Sequence, residues 1–248
     1  SGKAVVALLR DQTICEQLTP GVTTMLTLHH LEYSQSFRIL WLLEELGADY
    51  ELKIYERDPK TYQAPAELKK LSPLGSAPVI TDGEVALAES TAIIDYLLDQ
   101  HPDSELRVSP DSEHRVRYLF WMHASQGSMM SLMLMEAVFQ ILISRVPFLI
   151  RPMIKAVLEQ ATRSLIKPRM ASLLKIAEAD LKLVPYFGGD RVTAADIAMI
   201  YPMAAAKDRF YLDVEYPECN DWLDRVQQCE GFRSAAAKDG RDSIILRV

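Results

Sequence analysis

The stretch "GSAPVITDGEVALAESTAIIDYLL", residues 75–98, decides the fold. Two short apolar runs, "APVIT" and "EVALA", flank Asp82-Gly83, a pair that suits the positive φ values of a tight hairpin turn. Apolar residues at helical spacing follow at once and predict a helix from Ser90 to about Gln100. That helix opens on Glu89 and Ser90, a carboxylate and a hydroxyl at the mouth of an apolar element.

Upstream, "MLTLHH" is a short strand, and "SFRILWLLEELG" is an amphipathic helix stopped by Gly47. "YELKIY" alternates like a strand, and "APAELKKLSPLG" is a short helix with loop punctuation. The predicted order is β-α-β-α-β-β-α, a mixed sheet with helices packed on it. Residues 1–24 carry little pattern and end at Pro20-Gly21, which marks them as an extension before a sheet domain over 25–102. Ser1-Gly2 in place of Met reads as a cloning remnant, and Arg10 and Asp11 end the first apolar run too early for a signal peptide.

Downstream, the proline-rich polar stretch "HPDSELRVSPDS" changes the character of the chain. A linker is expected over 103–110 and an all-helical domain over 111–248, giving an α+β fold class. In "VTAADIAMIYP", Thr193 and Asp196 have the spacing of a capping box, with Val192 and Ile197 placed as a hydrophobic staple. The most membrane-like run is "LMLMEAVFQILISRVPFLI", 132–150. It contains Glu136 and Arg145, and a charge at the centre of a bilayer costs about 2.5–3.5 kcal/mol. A buried bundle helix is expected there, and membrane association is not.

The chain has 248 residues, enough for two small domains, and is 49% hydrophobic and 25% charged, ordinary for a soluble protein. A net charge of -7 argues against a general nucleic-acid binder. Cys15, Cys219 and Cys229 form no CxxC and no even framework, which fits a reducing, cytoplasmic setting and packed thiols. His29, His30, His114 and His123 show no metal spacing, so no metal is expected.

The ordered motifs "SQSFR", "SAPVI", "AEST" and "VTAADI" resemble the cytosolic glutathione transferase superfamily, whose first domain is thioredoxin-like. The resemblance runs from Met25 over nearly the whole remaining chain, and the Ser-x-x-x-Arg form of the first motif is similar to the serine-type, theta-like and related fungal and bacterial classes. It implies glutathione as co-substrate, an apolar electrophile as the second substrate, and a homodimer. It makes Ser34 the hydroxyl that stabilises the glutathione thiolate, with Ser36 as the alternative donor and Arg38 as a structural helix residue. Glu89 and Ser90 are expected to hold the γ-glutamyl zwitterion, because the unpartnered N–H groups of a helix start favour a carboxylate and Glu89 offers a counter-charge to an ammonium. The bland alternative is that Ser90 merely caps the helix.

The resemblance also implies a cis Pro78, with Val79 pairing its main chain to the cysteinyl unit; the alternative is a trans proline that starts an edge strand. The region "ERDPKTYQAPAELKK" would cover the glycyl end, with Lys60, Tyr62 or Lys69 as partners for its carboxylate. Five of the ten methionines fall within 122–135, and Tyr118, Trp121, Ser125 and Met129 are candidate electrophile-pocket residues, against the alternative of plain core. With no cysteine near Ser34, conjugation is favoured over disulfide reduction; an isomerase or ether-cleaving relative and a non-catalytic binding member are the rival functions.

Overall fold

The computed structural model describes residues 25–72, 74–209 and 211–245. The extension expected over 1–24, with Cys15, lies outside the described residues. The chain divides into two compact units, Ser1–Pro102 with Glu230–Val248, and Asp103–Cys229.

The first unit is built from β1 (Thr27–Leu31), α1 (Phe37–Leu46), β2 (Glu51–Tyr55), α2 (Ala66–Leu71), β3 (Val79–Asp82), β4 (Val85–Ala88) and α3 (Ser90–Gln100). The strands lie in the order β2-β1-β3-β4. β1 runs parallel to β2 and antiparallel to β3, which pairs antiparallel with β4. A parallel β1–β2 pair needs a crossover, and α1 supplies it. α1 buries an unbroken run from Phe37 to Leu43 and ends at Gly47, whose φ of 59° lets its N–H turn back to Glu44 O and Leu43 O. The hairpin differs by one residue from the expected Asp82-Gly83 turn. Asp82 pairs with Val85, so the two loop residues are Gly83 and Glu84, with Gly83 at φ 57°.

The last helix of the chain, Glu230–Asp239, groups with the sheet unit, which corrects an all-helical domain running to 248. Phe232 sits edge-on to Phe37 and Trp41, with ring centroids 5.2 and 5.3 Å away, and Ser234 and Lys238 both bind the Glu44 carboxylate. The apolar face of α1 is covered by this helix, a pairing of segments almost two hundred residues apart that local periodicity does not carry.

The second unit contains α4 (Arg115–Ala124), a π-helical turn (Ser125–Met130), α5 (Ser131–Arg145), α6 (Arg151–Ala161), a second π-helical turn (Thr162–Ile166), α7 (Lys167–Leu181), α8 (Ala194–Asp208) and α9 (Pro217–Val226). Counted on from these, Glu230–Asp239 is α10. The core of this unit holds a run of rings, Trp121, Phe187 and Trp222, with successive centroids 4.7 and 4.8 Å apart, and the exposed Phe120 stands edge-on to Trp121 at 4.8 Å. Beside this run Asp196, fully buried, accepts hydrogen bonds from Thr193 N and Oγ1, Phe187 N and Trp222 Nε1. Burial pushes its carboxyl up, while these four donors favour the ionised form.

The run 132–150 is not the buried bundle helix expected. The continuous helical segment Arg115–Arg145 is long and apolar enough to cross a membrane, and only 17% of its most apolar window is buried. Leu134, Met135, Val138, Ile141 and Leu142 are exposed on α5, and Phe148 and Leu149 follow them at 75% and 77% exposure. Pro147 ends the helical path, and α6, which packs back on α5, buries none of its own residues.

Candidate functional site

Strand register brings three sequence motifs to one end of the sheet. β1 ends at Leu31 and leads into the Ser34 turn. His29 of β1 pairs with Val79, the first residue of β3, and Val79 pairs with Ala88, the last residue of β4. Adjacent strands lie about 4.8 Å apart, so the turn after β1, the Pro78 segment before β3 and the Glu89-Ser90 corner after β4 share one edge about 10 Å wide.

At the first corner Tyr33 takes φ 48°, and the chain tightens through Ser34, Gln35 and Ser36 into α1. Ser34 is 7% exposed, and its hydroxyl is turned into the corner, donating to Leu31 O at 2.7 Å and accepting from Ser36 N at 3.2 Å. Its Oγ also lies 2.7 Å from Ser36 Oγ. Ser36, fully buried, stands at the N-terminal flank of α1 but makes no side-chain cap; it accepts from Leu31 N instead. Arg38 is fully buried on α1.

Arg57, which the sequence did not single out, clamps this corner. Its Nε donates to Glu32 O at 3.1 Å, Nη2 to Tyr33 O at 3.3 Å and Nη1 to Tyr62 O at 2.8 Å, so one guanidinium ties the serine turn to the 56–65 loop. No local pattern betrays such a residue, because its partners lie on two separate segments. Of the glycyl-end candidates, Tyr62 is exposed and takes φ 56°, Lys60 is exposed, and Lys69 donates to Gln63 Oε1.

The Ala77-Pro78 peptide is cis, and Pro78 is buried. Val79 is fully buried and paired on both sides, to His29 and to Ala88. Val79, expected to pair its main chain with the cysteinyl unit, thus opens β3 directly after the cis bond, between His29 of β1 and Ala88 of β4.

Glu89 is exposed and holds φ 77° with ψ 115°, a conformation a residue with a Cβ rarely adopts. Ser90, 3% exposed, is the first residue of α3, and no side chain caps that helix. The plain capping role for Ser90 is thus not realised.

The four residues expected around an electrophile are core. Tyr118, Trp121, Ser125 and Met129 are each buried; Trp121 Nε1 donates to Asp180 Oδ2 at 2.8 Å and Ser125 Oγ to Met122 O at 2.8 Å. Met122, Met129 and Met133 fill the interior, whereas Met135 is exposed. Among the described residues no cluster of His, Cys, Asp and Glu could hold a metal ion. Cys219 is buried beside Glu178, and burial pushes its thiol far above the ordinary range.

Comparison with known proteins agrees with this geometry. Residues 34–100 match the family model of the glutathione S-transferase N-terminal domain, and 133–230 that of the C-terminal domain. Similar relatives are glutathione S-transferase 3 of Schizosaccharomyces pombe, 31% identical over 90% of this chain and 91% of its own, and glutathione S-transferase 1 of Saccharomyces cerevisiae, 27% identical over 86% and 95%. A crystal structure of a glutathione S-transferase from Actinobacillus pleuropneumoniae superposes with a TM-score of 0.68 at 31% identity, covering 87% of this chain and 93% of that one. The chain belongs to the glutathione S-transferase family.

Proposed function

We propose that this chain conjugates glutathione to apolar electrophiles, with Ser34 donating a hydrogen bond to the glutathione thiolate and the Glu89-Ser90 corner holding the γ-glutamyl group. The observation that carries the reading is the strand register, which gathers the Ser34 turn, the cis Pro78 segment and the mouth of α3 on one sheet edge. The strained backbone at Glu89 supports it, because such conformations persist where the site uses them. Val79, directly after the cis Pro78, pairs with the cysteinyl main chain.

The energetics suffice without a metal or a cysteine nucleophile. A thiol with a pKa near 8.5 is only a few per cent ionised at pH 7, and lowering that value by about 2 units takes ~2.7 kcal/mol of preferential thiolate stabilisation. A hydrogen bond to a charged acceptor supplies ~1.5–3 kcal/mol, and a helix N-terminus adds ~0.3–1 kcal/mol to an anion held nearby. Ser34 reaches the sulfur by rotating its hydroxyl away from Leu31 O, exchanging a neutral bond worth about 1 kcal/mol for a charge-assisted one.

The protein acts in the cytoplasm in detoxification, as a homodimer. Supporting the dimer, Val116, Phe120, Ile176 and Leu183 line a recess on the helical unit and are 43% to 78% exposed, apolar surface that a second copy covers. The experiment is a conjugation assay with glutathione and an aryl halide, followed by product analysis. A stable glutathione adduct supports the reading; regenerated or oxidised glutathione with no adduct refutes it.

A further inference from the structure

Behind Ser34 lies a continuous chain of hydrogen bonds that conjugation by a single hydroxyl does not require. Asp239, the last residue of α10, places Oδ1 2.7 Å from His30 Nε2. His30 Nδ1 lies 2.9 Å from Ser36 Oγ, and Ser36 Oγ lies 2.7 Å from Ser34 Oγ. Asp239, His30 and Ser36 are 3%, 1% and 0% exposed, so the path is closed to water from its carboxylate end to Ser34. We propose that this Asp239–His30–Ser36–Ser34 path accepts the glutathione proton, with His30 as its terminus. The proposal rests on the reading of Ser34 as the residue that meets the thiol.

Both serine hydroxyls also reach Leu31 O, Ser34 at 2.7 Å and Ser36 at 3.1 Å, and in the relay each turns from that carbonyl into the row, where donor and acceptor capacities set the direction. An ionised carboxylate only accepts, so Nε2 of neutral His30 carries the ring proton and Nδ1 is an acceptor. Ser36 then gives its proton to Nδ1 and accepts from Leu31 N–H at 3.0 Å and from Ser34. Ser34 in turn accepts from the thiol, so every hydroxyl points inward. Ionisation reverses the row in one concerted shift. The S–H bond breaks and its proton joins Ser34 Oγ, the Ser34 proton joins Ser36 Oγ, and the Ser36 proton joins His30 Nδ1. The electron pair stays on sulfur, each serine ends with the one proton it began with, and His30 becomes an imidazolium facing Asp239. Every hydroxyl now points outward, and Ser34 donates to the thiolate.

Electrostatics favour the same direction. Before the shift the buried Asp239–His30 pair carries one net negative charge; afterwards it is an ion pair of zero net charge, which a low-dielectric interior tolerates better. The other charged groups around it are already engaged. Arg241 Nη1 donates to Asp239 O at 2.8 Å, and its Nη2 pairs with Glu32 at 3.1 Å and Glu56 at 3.9 Å. On the other helix packed against β1, Arg38 is the buried charge.

Proton accounting tests this directly. Glutathione is mixed with the wild-type protein at pH 6.5 in weak buffer with a pH indicator, while thiolate is followed by its absorbance near 240 nm. The relay predicts thiolate formation with no proton released to solvent, and a nitrogen-15 histidine spectrum in which His30 changes from the Nε2–H form to imidazolium. S-methylglutathione, which has no thiol proton, leaves that spectrum unchanged. Release of one proton per thiolate, or a His30 signal unmoved by glutathione, overturns the relay. His30→Gln is expected to lower kcat roughly tenfold or more at pH 6.5, with KM for glutathione little changed and with convergence on wild type at high pH. Because that site is buried, the near-isosteric Asp239→Asn is the second variant, expected to show the same pH-dependent loss; a pH-independent loss in both overturns the proposal. A Ser34→Ala protein that still forms thiolate refutes the underlying role of Ser34, whereas Ser34-dependent thiolate with proton release refutes the relay alone.

Discussion

Glu89 and Ser90 show what a residue type can and cannot announce. Their chemistry, a carboxylate beside a hydroxyl at a helix start, is visible in the sequence; the φ of 77° at Glu89 is not, because nothing about glutamate favours it. If the corner binds a zwitterion, Ser90→Ala and Glu89→Ala each weaken glutathione binding about tenfold in calorimetry, the value of one charge-assisted hydrogen bond, with little change in thermal stability. Unaltered affinity in both removes the corner from the site. His29 makes a different prediction. Held between Tyr55 Oη and Thr81 Oγ1, it has its pKa pulled down to about 4 by burial, with the Lys53 charge adding to the effect. Below about pH 6.5 the unfolded chain takes up a proton there that the fold refuses. The stability His29 contributes is complete above that pH and is lost as pH falls toward 4, by about 3 kcal/mol. Urea unfolding at pH 7 and at pH 4.5 should show this drop, and His29→Gln should make it shallower by a similar amount.

Among the elements, the start of α8 was the most legible. Thr193 and Asp196 form the capping box their spacing predicts. What the spacing did not reveal is the second use of Asp196, which also holds Phe187 N and the Trp222 indole and so joins α8 to α9 and to the loop before it. Asp196→Ala strands four buried donors and is expected to cost at least about 3 kcal/mol, far more than a lost cap, measured by denaturant unfolding. The strands and α1 to α3 were legible because period and turn chemistry are local. The Met-rich segment was not, because apolar spacing marks a helix face without saying what covers it: Trp121 and Met129 are core, whereas Leu134 and Ile141 of the same helical run are exposed. His30 shows the same limit at the site, since its partner Asp239 lies 209 residues away.

Across the whole molecule, the β-α-β-α-β-β-α unit supplies an edge where the three corners meet, and α10 returns from the far end of the chain to complete that unit. A protein truncated after Cys229 would lose Phe232 from α1 and Asp239 from His30, and should fail to bind glutathione even where the helical unit stays folded. Sedimentation should give twice the chain mass, and charge placed at Phe120 and Leu183 should halve it. The most direct measurement is the ionisation of bound glutathione, followed by thiolate absorbance against pH. In the wild-type complex the midpoint should lie about 2 units below that of free glutathione, and in Ser34→Ala it should return most of the way. A wild-type midpoint equal to that of the free peptide, or one that Ser34→Ala leaves in place, contradicts the account.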